Sequence, residues 1–167
     1  MSKELLSGVL LVTLVGCSSA PPSVPACDTI PSSTLDRVYA RYFAAASTTA
    51  AVGCAIPACH ADSAGNLAFR SVSEFYAATV NVRSTQDRQQ DLIEPGSPGA
   101  SYLYRKIAPG APAERMPFGG PYLDKAALDE IAGWICAGAP PLGAPPGVAD
   151  GGAAGTDGGT IAGPIRD

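Results

Sequence analysis

Histidine occurs once in this chain, at His60, and methionine only twice, at Met1 and Met116. That scarcity excludes active sites built on paired histidines. There are also no paired acids at a useful spacing and no nucleophile motif, so the usual means of hydrolytic or acid–base catalysis are missing and no enzyme is expected. Nor is there any run of Lys or Arg: 11 basic residues stand against 15 acidic ones, a formal net charge of −4. Nucleic acid as a partner requires a basic footprint and is excluded on that ground. No apolar stretch reaches the ~20 residues of a membrane-spanning helix, and no internal repeat is visible, which excludes solenoids and propellers.

What is present begins with an N-terminal pattern. Lys3 is followed by an apolar run over 5–16, which reads as an export signal. Its end, Leu14-Val15-Gly16-Cys17, resembles the bacterial lipobox. That resemblance implies cleavage after 1–16 and lipidation of Cys17, making the membrane a partner through a lipid anchor. Ser18 after the cysteine implies, by the same resemblance, the outer membrane of a bacterial cell envelope, facing the periplasm or the cell surface. The Pro/Ser-rich remainder of 17–26 reads as a tether. Residues 141–167, rich in Gly, Ala, Pro and Asp and without an aromatic, read as a disordered tail. Residues 27–140 remain as one small domain. At this size only about two-thirds of the unfolded chain's surface is buried, so a cofactor or cross-links are expected to supplement the core.

Within that domain the apolar spacing is helical. Leu35, Val38, Tyr39, Tyr42 and Phe43 predict a helix over 35–46, with Ser33 and Asp36 placed as a capping box. Leu128, Ile131, Ala132 and Ile135 predict another over 125–137, with Asp124 as N-cap, Gly138 and Pro140 as the stop, and Trp134 beside the apolar face. Shorter helices are expected over 73–80 and 101–107. The second of these follows a rigid turn at Pro95, Gly96 and Pro98, with Ser101 as its cap. Residues 67–69 are the one strand candidate. The fold class expected is mostly α, with irregular Gly/Pro-rich loops.

The segment Cys54-Ala-Ile-Pro-Ala-Cys59-His60 resembles the covalent haem attachment site of c-type cytochromes, with four residues between the cysteines where the common motif has two. Met116-Pro117, in a loop ahead of the last helix, resembles the distal-ligand loop of class I cytochromes c. A wider resemblance is to the small single-haem cytochrome c-like domains of planctomycetes and myxobacteria. It is carried by Cys54 to His60, by Glu94-Pro-Gly-Ser97-Pro-Gly-Ala-Ser101-Tyr-Leu103, by Arg115-Met116-Pro117 and by Trp134-Ile135-Cys136-Ala-Gly138-Ala139. The resemblance implies a cytochrome c-like domain with haem c as cofactor. Cys54 and Cys59 would form the thioethers, and His60 and Met116 would be the axial iron ligands. Such ligation leaves no open position for substrate and implies single-electron transfer with a redox partner protein. Two helices, over 35–46 and 125–137, would cross near one haem edge, with Tyr39, Phe43 and Trp134 at the contact and Ala132 and Gly133 letting the backbones approach.

Other readings of the same residues stay open at this level. Cys54 and Cys59 could close a disulfide in a haem-free, stapled envelope lipoprotein with a binding or structural role, or could join His60 at a zinc ion. Cys27 and Cys136 are the pair left over if haem takes the other two. Their disulfide would close a loop of roughly 110 residues and contribute up to about 4–5 kcal/mol. Without haem, all three connectivities of four cysteines are possible. The tyrosines read as packing residues. Arg70, Arg83, Arg88, Arg105 and Lys106 read as solvated surface or as partners for haem propionates.

Overall fold

The computed structural model describes residues 24–46, 53–57, 59–62 and 67–144. The expected signal over 1–16, the lipidation site Cys17 and the tail beyond 144 lie outside the described residues. The chain is mostly helical. A 3-10 turn at Cys27–Thr29 precedes α1 (Leu35–Val38), which runs on as a π-helical turn at Tyr39–Phe43. Then come α2 (Val72–Thr79), a 3-10 turn at Pro98–Ala100, α3 (Tyr102–Ile107) and α4 (Lys125–Cys136). Among the described residues no strand forms and no helix is long and apolar enough to cross a membrane. Two isolated bridges, Val80 with Ile93 and Arg83 with Asp91, close the loop between α2 and α3.

Helix α4 is the centre of the core. Ile131, Ala132, Trp134 and Ile135 are all fully buried. Asp124 caps the helix as expected, its carboxylate accepting from the Ala127 amide at 2.8 Å. The buried Trp134 indole donates to the Pro140 carbonyl at 3.0 Å, fastening the chain that leaves the helix. Phe75 of α2 stacks on Phe43 at 4.5 Å and meets Trp134 at 6.1 Å. The expected contact of Phe43 with Trp134 is thus mediated by Phe75. Gly133 does permit a close approach, but to the segment before α1: a Cβ there would lie 2.1 Å from the Pro31 carbonyl oxygen. Cys27 and Cys136 are paired at disulfide distance, with their Cα atoms 5.3 Å apart.

Several local expectations are corrected. The Ser33/Asp36 capping box does not form: the N-cap is Thr34, without a side-chain bond, and the Ser33 hydroxyl lies 3.5 Å from Glu130 of α4. The first helix ends at Phe43, not at 46. α2 begins at Val72, capped by Ser71, which accepts from the Glu74 amide at 3.1 Å. Residues 67–69 are not a strand. Ser101 precedes α3 but its side chain makes no capping bond; the Tyr102 and Leu103 amides donate instead to the Asp91 and Leu92 carbonyls, each at 2.9 Å. The buried Ser101 hydroxyl instead accepts from the Glu94 amide at 2.9 Å and faces the Ser97 carbonyl at 2.9 Å. It therefore holds together the Pro95–Gly96 turn that the sequence marks as rigid.

Candidate functional site

The last carbonyls of a helix have no partner within it and must find one elsewhere. Two helices here use that requirement to hold two loops. At the end of the first helix the widened π turn closes with the Ala44 amide on the Tyr39 carbonyl at 2.9 Å. The freed Phe43 carbonyl accepts from the Ala55 amide at 2.9 Å, and the Tyr42 carbonyl lies 3.5 Å from the Cys54 thiol. Gly53 makes this docking possible, since a Cβ there would lie only 1.9 Å from the Ala44 carbonyl oxygen. The loop then folds on itself: the His60 amide donates to the Cys54 carbonyl at 3.1 Å and the Cys59 amide to the Ile56 carbonyl at 3.1 Å.

At the end of α3 the Lys106 carbonyl accepts from the Met116 amide at 2.8 Å, and the Ile107 carbonyl from the Arg115 guanidinium Nε at 2.9 Å. The half-buried Met116 packs against the core at this point.

The two loops meet at one cavity of about 740 Å³, within the roughly 300–1,000 Å³ typical of small-molecule and cofactor pockets. Cys54, Cys59, His60 and Met116 all line it. Its walls include Phe43, Phe69, Leu92, Leu103 and Ile107, and Arg83 and Lys106 are the cationic residues that reach it. The other scattered cations serve elsewhere: Arg70 pairs with Glu74 at 2.5 Å, and Arg105 bonds the Gln90 side chain at 2.7 Å.

His60 is held on three sides by residues 67–69. Its Nδ1 lies 3.3 Å from the Leu67 carbonyl oxygen, its ring stacks on Phe69 at 4.5 Å, and its own carbonyl accepts from the Phe69 amide at 2.8 Å. A carbonyl can only accept, so the Nδ1 contact is a hydrogen bond when the proton sits on that nitrogen. Cys54 and Cys59 are free thiols, not joined to each other. Burial pushes the Cys54 thiol up to about 12, with the neighbouring Cys59 adding to the shift, so it is protonated at neutral pH. Cys59 is exposed. Among the described residues no group of three or more His, Cys, Asp or Glu side chains could hold a metal ion, so the zinc reading gains no support.

The structure thus brings together four of the residues singled out in the sequence and places Cys27 and Cys136 apart from them, between the domain's start and the end of α4. Cys17 lies outside the described residues. Sequence reasoning missed Gly53, Phe69 and the Leu67 carbonyl. Gly53 carries a signal in hindsight, as a glycine directly before the first cysteine, while a backbone carbonyl has none. Compared with protein-family models, curated proteins and solved structures, the chain matches none.

Proposed function

We propose that this chain is an exported lipoprotein with a cytochrome c-like domain that carries one covalently attached haem and passes single electrons. One observation supports the reading above the others: two thiols, the only imidazole and the only methionine after Met1 converge on one largely apolar pocket. They come from loops separated by about half the domain, and nothing in a disulfide or structural role requires them to meet.

The pocket fits such a group by size, by its aromatic and aliphatic walls and by its donor set of two thiols, an imidazole and a thioether. Haem when bound supplies a ferric/ferrous couple. The protein's own residues do the rest. Cys54 and Cys59 anchor the macrocycle. His60, oriented by Leu67 and Phe69, and Met116 would be the iron's protein ligands through an imidazole nitrogen and a thioether sulfur, a set that would leave no position for substrate. Phe43, Phe69, Leu92 and Leu103 exclude water, which disfavours the more highly charged oxidised state and raises the potential. The lipid on Cys17 would keep the carrier at the bacterial envelope, and its partner would be another redox protein.

The test is the visible spectrum of protein matured in a host with cytochrome assembly machinery. The expected result is a low-spin His/Met spectrum, with Met116→Ala losing the sulfur-to-iron band and lowering the potential. A colourless protein would falsify the reading and leave the haem-free envelope lipoprotein in its place.

A further inference from the structure

The loop that delivers Met116 has little of its own to hold it. Among the described residues, the one backbone bond within 117–121 is from the Gly120 amide to the Pro117 carbonyl at 2.9 Å, and Phe118 is 72 % exposed. What fixes the loop is the side chain just before the methionine. The Arg115 guanidinium donates through Nε to the Ile107 carbonyl at 2.9 Å and through Nη2 to the Leu123 carbonyl at 3.3 Å. It also sits 4.3 Å from the centroid of the Tyr122 ring. Ile107 ends α3, while Tyr122 and Leu123 form the approach to the Asp124 cap of α4. One cation therefore joins the start of the 116–122 loop, its far end and the helix behind it.

We infer that Arg115 is a positioning residue: its guanidinium pins both ends of the 116–122 loop and so holds the Met116 sulfur in the pocket as the distal ligand. The inference rests on the haem reading above. It depends on the fork of the guanidinium and not on charge alone. A lysine ammonium carries the same charge but cannot present two N–H groups in fixed directions while lying flat on an aromatic ring. Lys106 shows the contrast: its ammonium donates to a single carbonyl among the described residues, that of Glu114. With the fork removed, the loop keeps the Met116 amide bond to α3 but loses its far anchor. The sulfur then leaves the iron more readily, and an added ligand competes more easily.

The experiment compares Arg115→Lys and Arg115→Gln with the parent full-length holoprotein and with Lys125→Gln, an exposed control that does not line the cavity. The readouts are the sulfur-to-iron band of the ferric protein and the affinity for added imidazole, with haem content and thermal midpoint measured alongside. Both Arg115 variants should weaken the band and bind imidazole at least about tenfold more tightly, with haem content retained and the control unchanged. A lysine variant that behaves like the parent overturns the inference, and so do variants whose band and imidazole affinity are unchanged; either result leaves the haem reading standing. A parent protein without covalent haem overturns both. If the Arg115 variants do not fold, Tyr122→Leu removes only the aromatic arm and should tighten imidazole binding about two- to fivefold. No change in that variant overturns the inference.

Discussion

The carboxylate of Glu130, on α4, accepts a hydrogen bond from the Tyr42 hydroxyl on one oxygen and from the Arg37 guanidinium on the other, and Arg41 lies 3.3 Å from the oxygen that Tyr42 bonds. Burial alone would raise its pKa. The bonds from Tyr42 and Arg37, with the charges of Arg37 and Arg41, outweigh that and hold it below the ordinary 4.5. A carboxyl that ionises more easily folded than unfolded contributes stability above pH 4.5, and loses it as the pH falls through the lower folded value. Glu130→Gln should therefore cost about 1–3 kcal/mol at neutral pH and flatten the acid limb of the stability curve, as read by urea denaturation across pH 2–7. A variant whose acid limb matches the parent's would remove Glu130 from this role. Tyr42 reports the same network from the other side: burial, then its bond to Glu130, pushes its hydroxyl up to about 12, so it stays a donor.

At the scale of elements, the parts written in local sequence are the ones the sequence reveals. α4 has its apolar stripe, its Asp124 cap and its Gly138 stop within a dozen or so residues, and each acts as expected apart from the deeper burial of Trp134. The end of the first helix is different. Its apolar spacing continues past Phe43, but the terminus is decided by a segment twelve residues on, whose Cys54 and Ala55 take the Tyr42 and Phe43 carbonyls. Ser101 misleads for a related reason: the Leu103 amide that it could cap donates instead to the Leu92 carbonyl, eleven residues back. Local patterns locate helices, and long-range hydrogen bonds set their ends. Gly53 is where such a bond depends on one missing side chain. Gly53→Ala should displace the Cys54 loop from the helix end, costing about 1–3 kcal/mol in denaturant and lowering the haem incorporated per polypeptide. A variant with parental haem content would show that the docking does not govern the site.

For the whole molecule, the ledger of what holds a small domain together points to its centre. The Cys27–Cys136 pair joins residues 109 apart in sequence and ties the first turn to the last helix. Trp134, Phe75 and Phe43 pack together in the interior, and a cavity of about 740 Å³ lies between Phe43, α3 and the loops that carry Cys54 to His60 and Met116. The motif residues that line it were visible in the sequence as types and spacings. The resemblance implied that they meet, but not the backbone bonds that hold the two loops, from the Ala55 amide to the Phe43 carbonyl and from the Met116 amide to the Lys106 carbonyl. A domain of this size with such a cavity is explained by the proposed group that fills it. The most direct measurement is the intact mass of the mature protein under denaturing conditions, after production alongside haem-attachment enzymes. The account predicts the polypeptide plus one haem in the parent, with no haem retained when Cys54 and Cys59 are both replaced by serine. A parent mass equal to the polypeptide with its lipid and disulfides alone would contradict it.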